Sequence, residues 1–261
     1  FSYMYSCGSI AYISGPIIGG ALAATTDYAV PFWIMLGPLA LGWLSILFLF
    51  RETHTPDPTK PLAIGRSIAN LRYIVTDAPL RPIYLLNLTI YTAIYGFYRM
   101  AAVLLEQKWQ MSVDRMTLWY SGIAGAVTVA LLVVMPRLSR HASLVWITAL
   151  SCIVGGVLMC LTPLPPTVLF SIVLLCYPAS FCTGLTLPAC GGFISTQADE
   201  TRQGQVMGNN QALQVGGEAG GSVVGGLLAA AWTPLALIVF GGAFVGAGVG
   251  YLAFRKRRPV T

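Results

Sequence analysis

A chain of 261 residues that is 56% hydrophobic and only 9% charged excludes an ordinary water-soluble domain; such domains carry about 25% charged residues. Its mean hydropathy of +0.73 and net charge of +6 leave two readings of the basic excess, nucleic acid or membrane topology.

Spans of about 20 apolar residues cross the hydrocarbon of a bilayer. Eight stretches meet that description: 3–24, 30–50, 83–104, 117–136, 143–162, 167–194, 206–231 and 235–254. The expected fold class is therefore all-α, a polytopic membrane helix bundle. No cleavable signal peptide is recognisable at Phe1, and the chain reads as a fragment whose upstream part is missing.

The first span contains Ser14-Gly15-Pro16-Ile17-Ile18-Gly19-Gly20-Ala21-Leu22-Ala23-Ala24. The seventh contains Gly220-Gly221-Ser222-Val223-Val224-Gly225-Gly226-Leu227-Leu228-Ala229-Ala230. Both copies precede a further apolar segment that opens after a proline, Pro31 or Pro234, and closes in Phe50-Arg51 or Phe254-Arg255. A two-helix unit thus recurs in the same direction, the mark of two similar halves. The expected organisation is 1–50 as the last two helices of the first half and 51–82 as a linker. A six-helix second half (83–254) and a basic tail (255–261) follow. The glycines Gly15, Gly19, Gly20, Gly221, Gly225 and Gly226 let a neighbouring helix approach closely. Pro16 removes a backbone hydrogen bond and bends its helix.

The linker opens with Pro-rich, charged sequence that cannot be helical throughout. Ile64, Ile68, Leu71 and Val75 then recur at helical spacing beside Arg66 and Arg72, as in a short amphipathic helix on an anionic leaflet; a mobile linker is the alternative. Twelve of the 15 basic residues lie in alternate loops: Arg51, Lys60, Arg66, Arg72, Arg81, Arg137, Arg140, Arg202, Arg255, Lys256, Arg257 and Arg258. That asymmetry places the linker and the C-terminus in the cytoplasm. Topology explains the charge, so no nucleic-acid partner is expected. The short loops elsewhere predict that sequential helices are antiparallel neighbours.

In the third span Tyr84, Asn87, Tyr91, Tyr95 and Tyr98 form one helical stripe, with Arg99 on its edge. Such a stripe makes a pocket wall for an amphipathic ligand, and Asn87, Tyr91 and Tyr95 are the expected substrate contacts. Arg99 either holds an anionic group, neutralises a carboxylate or snorkels outward.

The sixth span places Ser180, Thr183 and Gly184 between Pro178 and Pro188, a broken and flexible stretch. Asp199, Glu200 and Arg202 form a charge cluster ahead of the seventh span, read as a helix cap, a gating loop or solvated charges.

Glu218 sits near the middle of the seventh span, sharing a face with Gln211, Gln214, Ser222 and Gly225. A carboxylate there faces a cavity, pairs with a cation or carries a proton. Gln211 and Gln214 join the substrate candidates, and Glu218 with Arg99 is the proton-coupling candidate.

All six cysteines lie in predicted spans without metal-ligand spacing, and neither His54 nor His141 has a partner spaced for zinc or for nucleophilic catalysis. No phosphate-binding GxxxxGK[ST] loop is present. No cofactor, no metal and no enzymatic activity are expected.

With these residues named, the chain resembles the major facilitator superfamily, in particular its drug:proton antiporter branch. Gly15-Pro16-Ile17-Ile18-Gly19-Gly20 is similar to the core of that branch's antiporter motif on the fifth helix, although Ser2 and Ala11 stand where the pattern has glycine. Asp199-Glu200-Thr201-Arg202-Gln203-Gly204-Gln205 resembles the loop before the eleventh helix of tetracycline/proton antiporters. Pro136-Arg137-Leu138-Ser139-Arg140 resembles the basic loop after the eighth.

The resemblance implies helices five to twelve of a twelve-helix transporter that is monomeric when complete. In it 83–104 and 167–194 line the central cavity, and 3–24 and 206–231 lie at the seam between halves. It implies proton-coupled efflux of a small organic compound across a bacterial inner membrane, with protons and the bilayer as partners. A sugar, amino acid or other metabolite as cargo, or a scaffold that transports nothing, are the alternatives. The branch often carries its coupling acids in the first four helices, so Glu218 is a local candidate.

Overall fold

The computed structural model describes residues 29–51, 71–199 and 202–257, together with residues 8, 10, 11, 14, 15, 17–19, 22 and 25–27. Pro16, Gly20, Glu200 and most of the 51–82 linker, with Ile64, Ile68 and Arg66, lie outside the described residues.

Every regular element among the described residues is helical. Described positions between Gly8 and Thr25 belong to a helix. The elements after it are α1 (Val30–Leu49), the short α2 (Tyr73–Thr76), α3 (Arg81–Trp109), α4 (Asp114–His141), α5 (Leu144–Leu161), α6 (Val168–Thr196), α7 (Gln203–Ala231) and α8 (Thr233–Arg257). Among the described residues six helices, α1, α3, α4, α5, α6 and α8, are long and apolar enough to cross a membrane. α7 is 29 residues long. Its Gln, Asn and Gly content keeps it out of that group, and Asn209 and Asn210 are buried in the bundle.

Local sequence explains the boundaries. Pro31 and Pro82 stand in the first turns of α1 and α3, where a missing N–H costs nothing. Ser143 caps α5 by accepting from the Trp146 N–H. α3 ends at Gln110, whose φ of 50° puts it in the left-handed region. Two helices widen into π turns, Ala130–Val134 in α4 and Ser171–Cys176 in α6. Each lies just ahead of a proline, Pro136 or Pro178, whose ring crowds the preceding turn and which supplies no donor. Pro188, by contrast, sits within continuous α-helix.

The expected antiparallel pairing of consecutive helices is only partly observed. The principal packings are α5 with α8, α3 with α7, α5 with α6, α3 with α8 and α4 with α6. Most join elements remote in sequence. The reason is side-chain size: backbones close up where glycines line both partners. A methyl group at Gly221 would lie 2.7 Å from the Thr92 carbonyl oxygen and 2.9 Å from the Gly96 nitrogen. One at Gly241 would lie 2.7 Å from the Gly156 carbonyl oxygen. The core sits between α3, α7, α8 and α5, filled by Tyr84, Tyr91, Phe97, Phe193, Phe240, Phe244 and Tyr251. A second cluster, Ala130, Met135, Ile147, Leu185 and Ala189, lies under the far end of α4.

Of the glycines expected at the seam between halves, all but Gly20 lie among the described residues. Gly221 and Gly225 close onto α3 and α8, inside the 83–254 unit, while Gly226 meets nothing within 4 Å. Gly15 and Gly19 likewise have open space within 4 Å, and α1 buries none of its side chains.

Candidate functional site

The tyrosine stripe of α3 divides into a buried half and an open half. Tyr84, Asn87 and Tyr91 are buried in the bundle. Asn87 donates to the Asn210 side-chain oxygen at 2.8 Å and accepts from the Tyr251 hydroxyl. Asn210 donates in turn to the Tyr91 hydroxyl at 2.9 Å. Cys190 lies 3.8 Å from the same hydroxyl, and Tyr84 lies beside Asn209. Thus α3, α7 and α8 are tied by a buried run of hydrogen bonds from Tyr251 through Asn87 and Asn210 to Tyr91. Asn87 and Tyr91, expected as substrate contacts, are thus enclosed by protein in this conformation.

The open half begins one turn further along. The Gln214 amide donates to the Tyr95 hydroxyl at 2.8 Å. Tyr98 shares a hydrogen bond with Thr183 at 2.9 Å, which joins α3 to α6. Arg99 donates to Glu218 at 3.1 Å, and their side chains are 54% and 45% exposed. Tyr120 of α4 lies within the electrostatic reach of Arg99. Gln211 is exposed on the same side of α7. A polar strip therefore runs along one face of the unit, from Gln211 past Gln214 and Tyr95 to Glu218 and Arg99.

Of the three outcomes open to Glu218, the structure realises pairing with a cation. The pair lies outside the packed core of the unit, at a mid-span depth where either charge alone would be costly, so each is the other's compensation. Ser222 back-bonds to the Glu218 carbonyl oxygen at 2.8 Å and takes no part in the strip.

The charge cluster ahead of α7 also resolves differently. Arg202 donates to Asp77 at 2.6 Å, and its guanidinium lies 5.9 Å from the ring centre of Tyr73. The neighbouring carboxylate raises the Arg202 pKa further above its already high value. The pairing thus reaches back 125 residues to the segment that enters α3, while Asp199 accepts from the Arg202 backbone N–H and adds a smaller electrostatic attraction. Sequence reasoning missed Asp77, a lone acid between a short helix and a proline. It also missed Asn210 and Tyr251. The run Asn209-Asn210 within an apolar span was the available signal for the former.

The sequence profile of the Major Facilitator Superfamily matches residues 1–214. This chain belongs to that superfamily. Six helices able to cross a membrane accord with membership, and the protein is an integral membrane protein. Among curated relatives, the multidrug efflux pump Tap of Mycobacterium bovis (strain BCG / Pasteur 1173P2) is 28% identical over 210 residues. Tap of Mycobacterium tuberculosis (strain ATCC 25618 / H37Rv) matches equally. The alignment covers 77% of this chain and 48% of the pump, so the chain spans about half the length of these relatives. The crystal structure of the human organic anion transporter MFSD10 (TETRAN) superposes with a TM-score of 0.81 at 16% identity, over 96% of this chain and 62% of that one. At that identity the likeness speaks for the fold alone.

Proposed function

We propose that this major facilitator chain is part of a secondary active transporter that exports a small, lipophilic organic compound in exchange for protons, by alternating access across a bacterial inner membrane. The observation that carries the proposal is the half-exposed Arg99–Glu218 pair at the end of a polar, aromatic strip. A proton arriving at Glu218 cancels its charge and releases Arg99; departure of the proton restores the pair. Cargo lies along Tyr95, Gln214 and Gln211, whose ring and amides suit an amphipathic molecule. The buried Tyr251–Asn87–Asn210–Tyr91 chain holds the wall behind it in shape. The relatives named as multidrug efflux pumps support export of a drug-like compound.

The test is pH-gradient-driven dye export in everted membrane vesicles carrying the complete reading frame that contains these residues. Glu218→Gln is expected to abolish the response to the gradient while dye still binds. Unchanged coupling and rate would refute the titrating role.

A second reading has its own observation. Arg99 is the more exposed partner, so an anionic group can replace Glu218 at the guanidinium. Arg99→Gln then impairs transport of an anionic dye more than tenfold and spares a cationic one; equal effects on both dyes exclude this reading.

A further inference from the structure

The far end of α4 carries a feature that transport chemistry does not use. Beyond its π turn, Val133, Val134, Arg137, Leu138 and His141 line an open groove of about 370 Å³. The floor is firm, because Val134 and Leu138 pack against the cluster of Met135, Ile147, Leu185 and Ala189. The groove wall is hydrocarbon, and Val133 on it is 46% exposed.

The rim is cationic. Arg137, Arg140 and His141 are all exposed. No Asp or Glu occurs between Asp114 and Asp199, so nothing nearby in sequence offsets the Arg137 and Arg140 charges. Arg137 donates one N–H to the Val133 carbonyl oxygen, which folds its guanidinium back along the groove and leaves its other donors unused by that bond. The depth is marked independently. Trp146, in the first turn of α5 and so just past this end of α4, is 45% exposed. Exposed tryptophans of membrane proteins sit at the headgroup level.

An apolar groove rising to clustered arginines at headgroup depth matches one occupant in charge and shape. We propose that it binds a single anionic phospholipid, with an acyl chain along Val133, Val134 and Leu138 and the phosphate held by Arg137 and Arg140. Arginine presents a planar fork of donors suited to phosphate oxygens. Anionic lipid is concentrated in the cytoplasmic leaflet, the side to which the basic loops assign this end.

The experiment titrates the detergent-solubilised chain with dioleoylphosphatidylglycerol and, separately, with dioleoylphosphatidylcholine, reading bound lipid per protein by native mass spectrometry. The wild type is expected to retain one phosphatidylglycerol in preference to phosphatidylcholine. Arg137→Gln with Arg140→Gln should weaken that lipid roughly thirty-fold, the sum of two surface-lipid attractions, and leave phosphatidylcholine unchanged. Leu138→Trp, which fills the groove and keeps both arginines, should also lose the tight lipid. Equal retention of the two lipids by the wild type overturns the proposal. So does an unchanged phosphatidylglycerol affinity in either variant whose helical circular dichroism matches the wild type.

Discussion

Two adjacent glycines of α7 make opposite predictions. At Gly221 an added methyl group meets only backbone: the Thr92 oxygen at 2.7 Å, the Gly96 nitrogen at 2.9 Å and the Gly96 Cα at 3.2 Å. None of these atoms can rotate away, so α3 and α7 must separate by several tenths of an ångström. Overpacking of that kind costs about 1–3 kcal/mol. At Gly220 nothing lies within 4 Å. Alanine is favoured over glycine inside a helix by about 1 kcal/mol, and both variants share that gain. The difference between Gly221→Ala and Gly220→Ala therefore isolates the steric cost at about 1–3 kcal/mol, with Gly220→Ala the more stable. The assay is unfolding of the detergent-solubilised chain by sodium dodecyl sulfate, followed by helical circular dichroism and by dye labelling of buried Cys152 and Cys190. Equal midpoints, or a more stable Gly221→Ala, would show that α3 and α7 are not in contact as described.

Asn87→Leu removes the donor to Asn210 and the acceptor for Tyr251, so it should cost about 1–3 kcal/mol in the same unfolding assay; a neutral effect would dissolve the buried chain. The Asp77–Arg202 bond should give a coupling of about 0.2–1 kcal/mol in a double-mutant cycle, discounted because Arg202 is partly exposed. Because the raised Arg202 pKa belongs to the folded state, that coupling should be present at neutral pH and, as pH rises, be lost in strong alkali; its absence at neutral pH would contradict the assignment. Lys108 donates to the carbonyl oxygens of Pro163 at 2.7 Å and Pro165 at 2.9 Å, while the Trp109 indole donates to that of Pro166. Lys108→Met should therefore release the 162–166 turn to limited proteolysis, and an unaltered digestion pattern would show that the lysine does not hold it.

How far the sequence reached differs from residue to residue. It identified Glu218 and Arg99 as the membrane charges that needed an explanation, and cost alone sufficed for that, since a charge inside an apolar helix must find a partner. It identified the stripe Tyr84, Asn87, Tyr91, Tyr95 and Tyr98 from helical period. Period says which residues share a face, but not what covers that face along its length. Asn210 and Tyr251 enclose the first part of the stripe and leave Tyr95 near the open strip. The face chosen on α7 by reference to Glu218 passed over Asn210 for the same reason.

The sequence by itself determined the solvent and the helices, because hydropathy, proline and capping act within a few residues. Only the tertiary structure decided which glycine ridge is buried, that Arg202 turns to Asp77, and that Arg99 meets Glu218. Each of those outcomes depends on two helices more than 100 residues apart reaching the same place in the same register. No local pattern in either helix records where the other one lies.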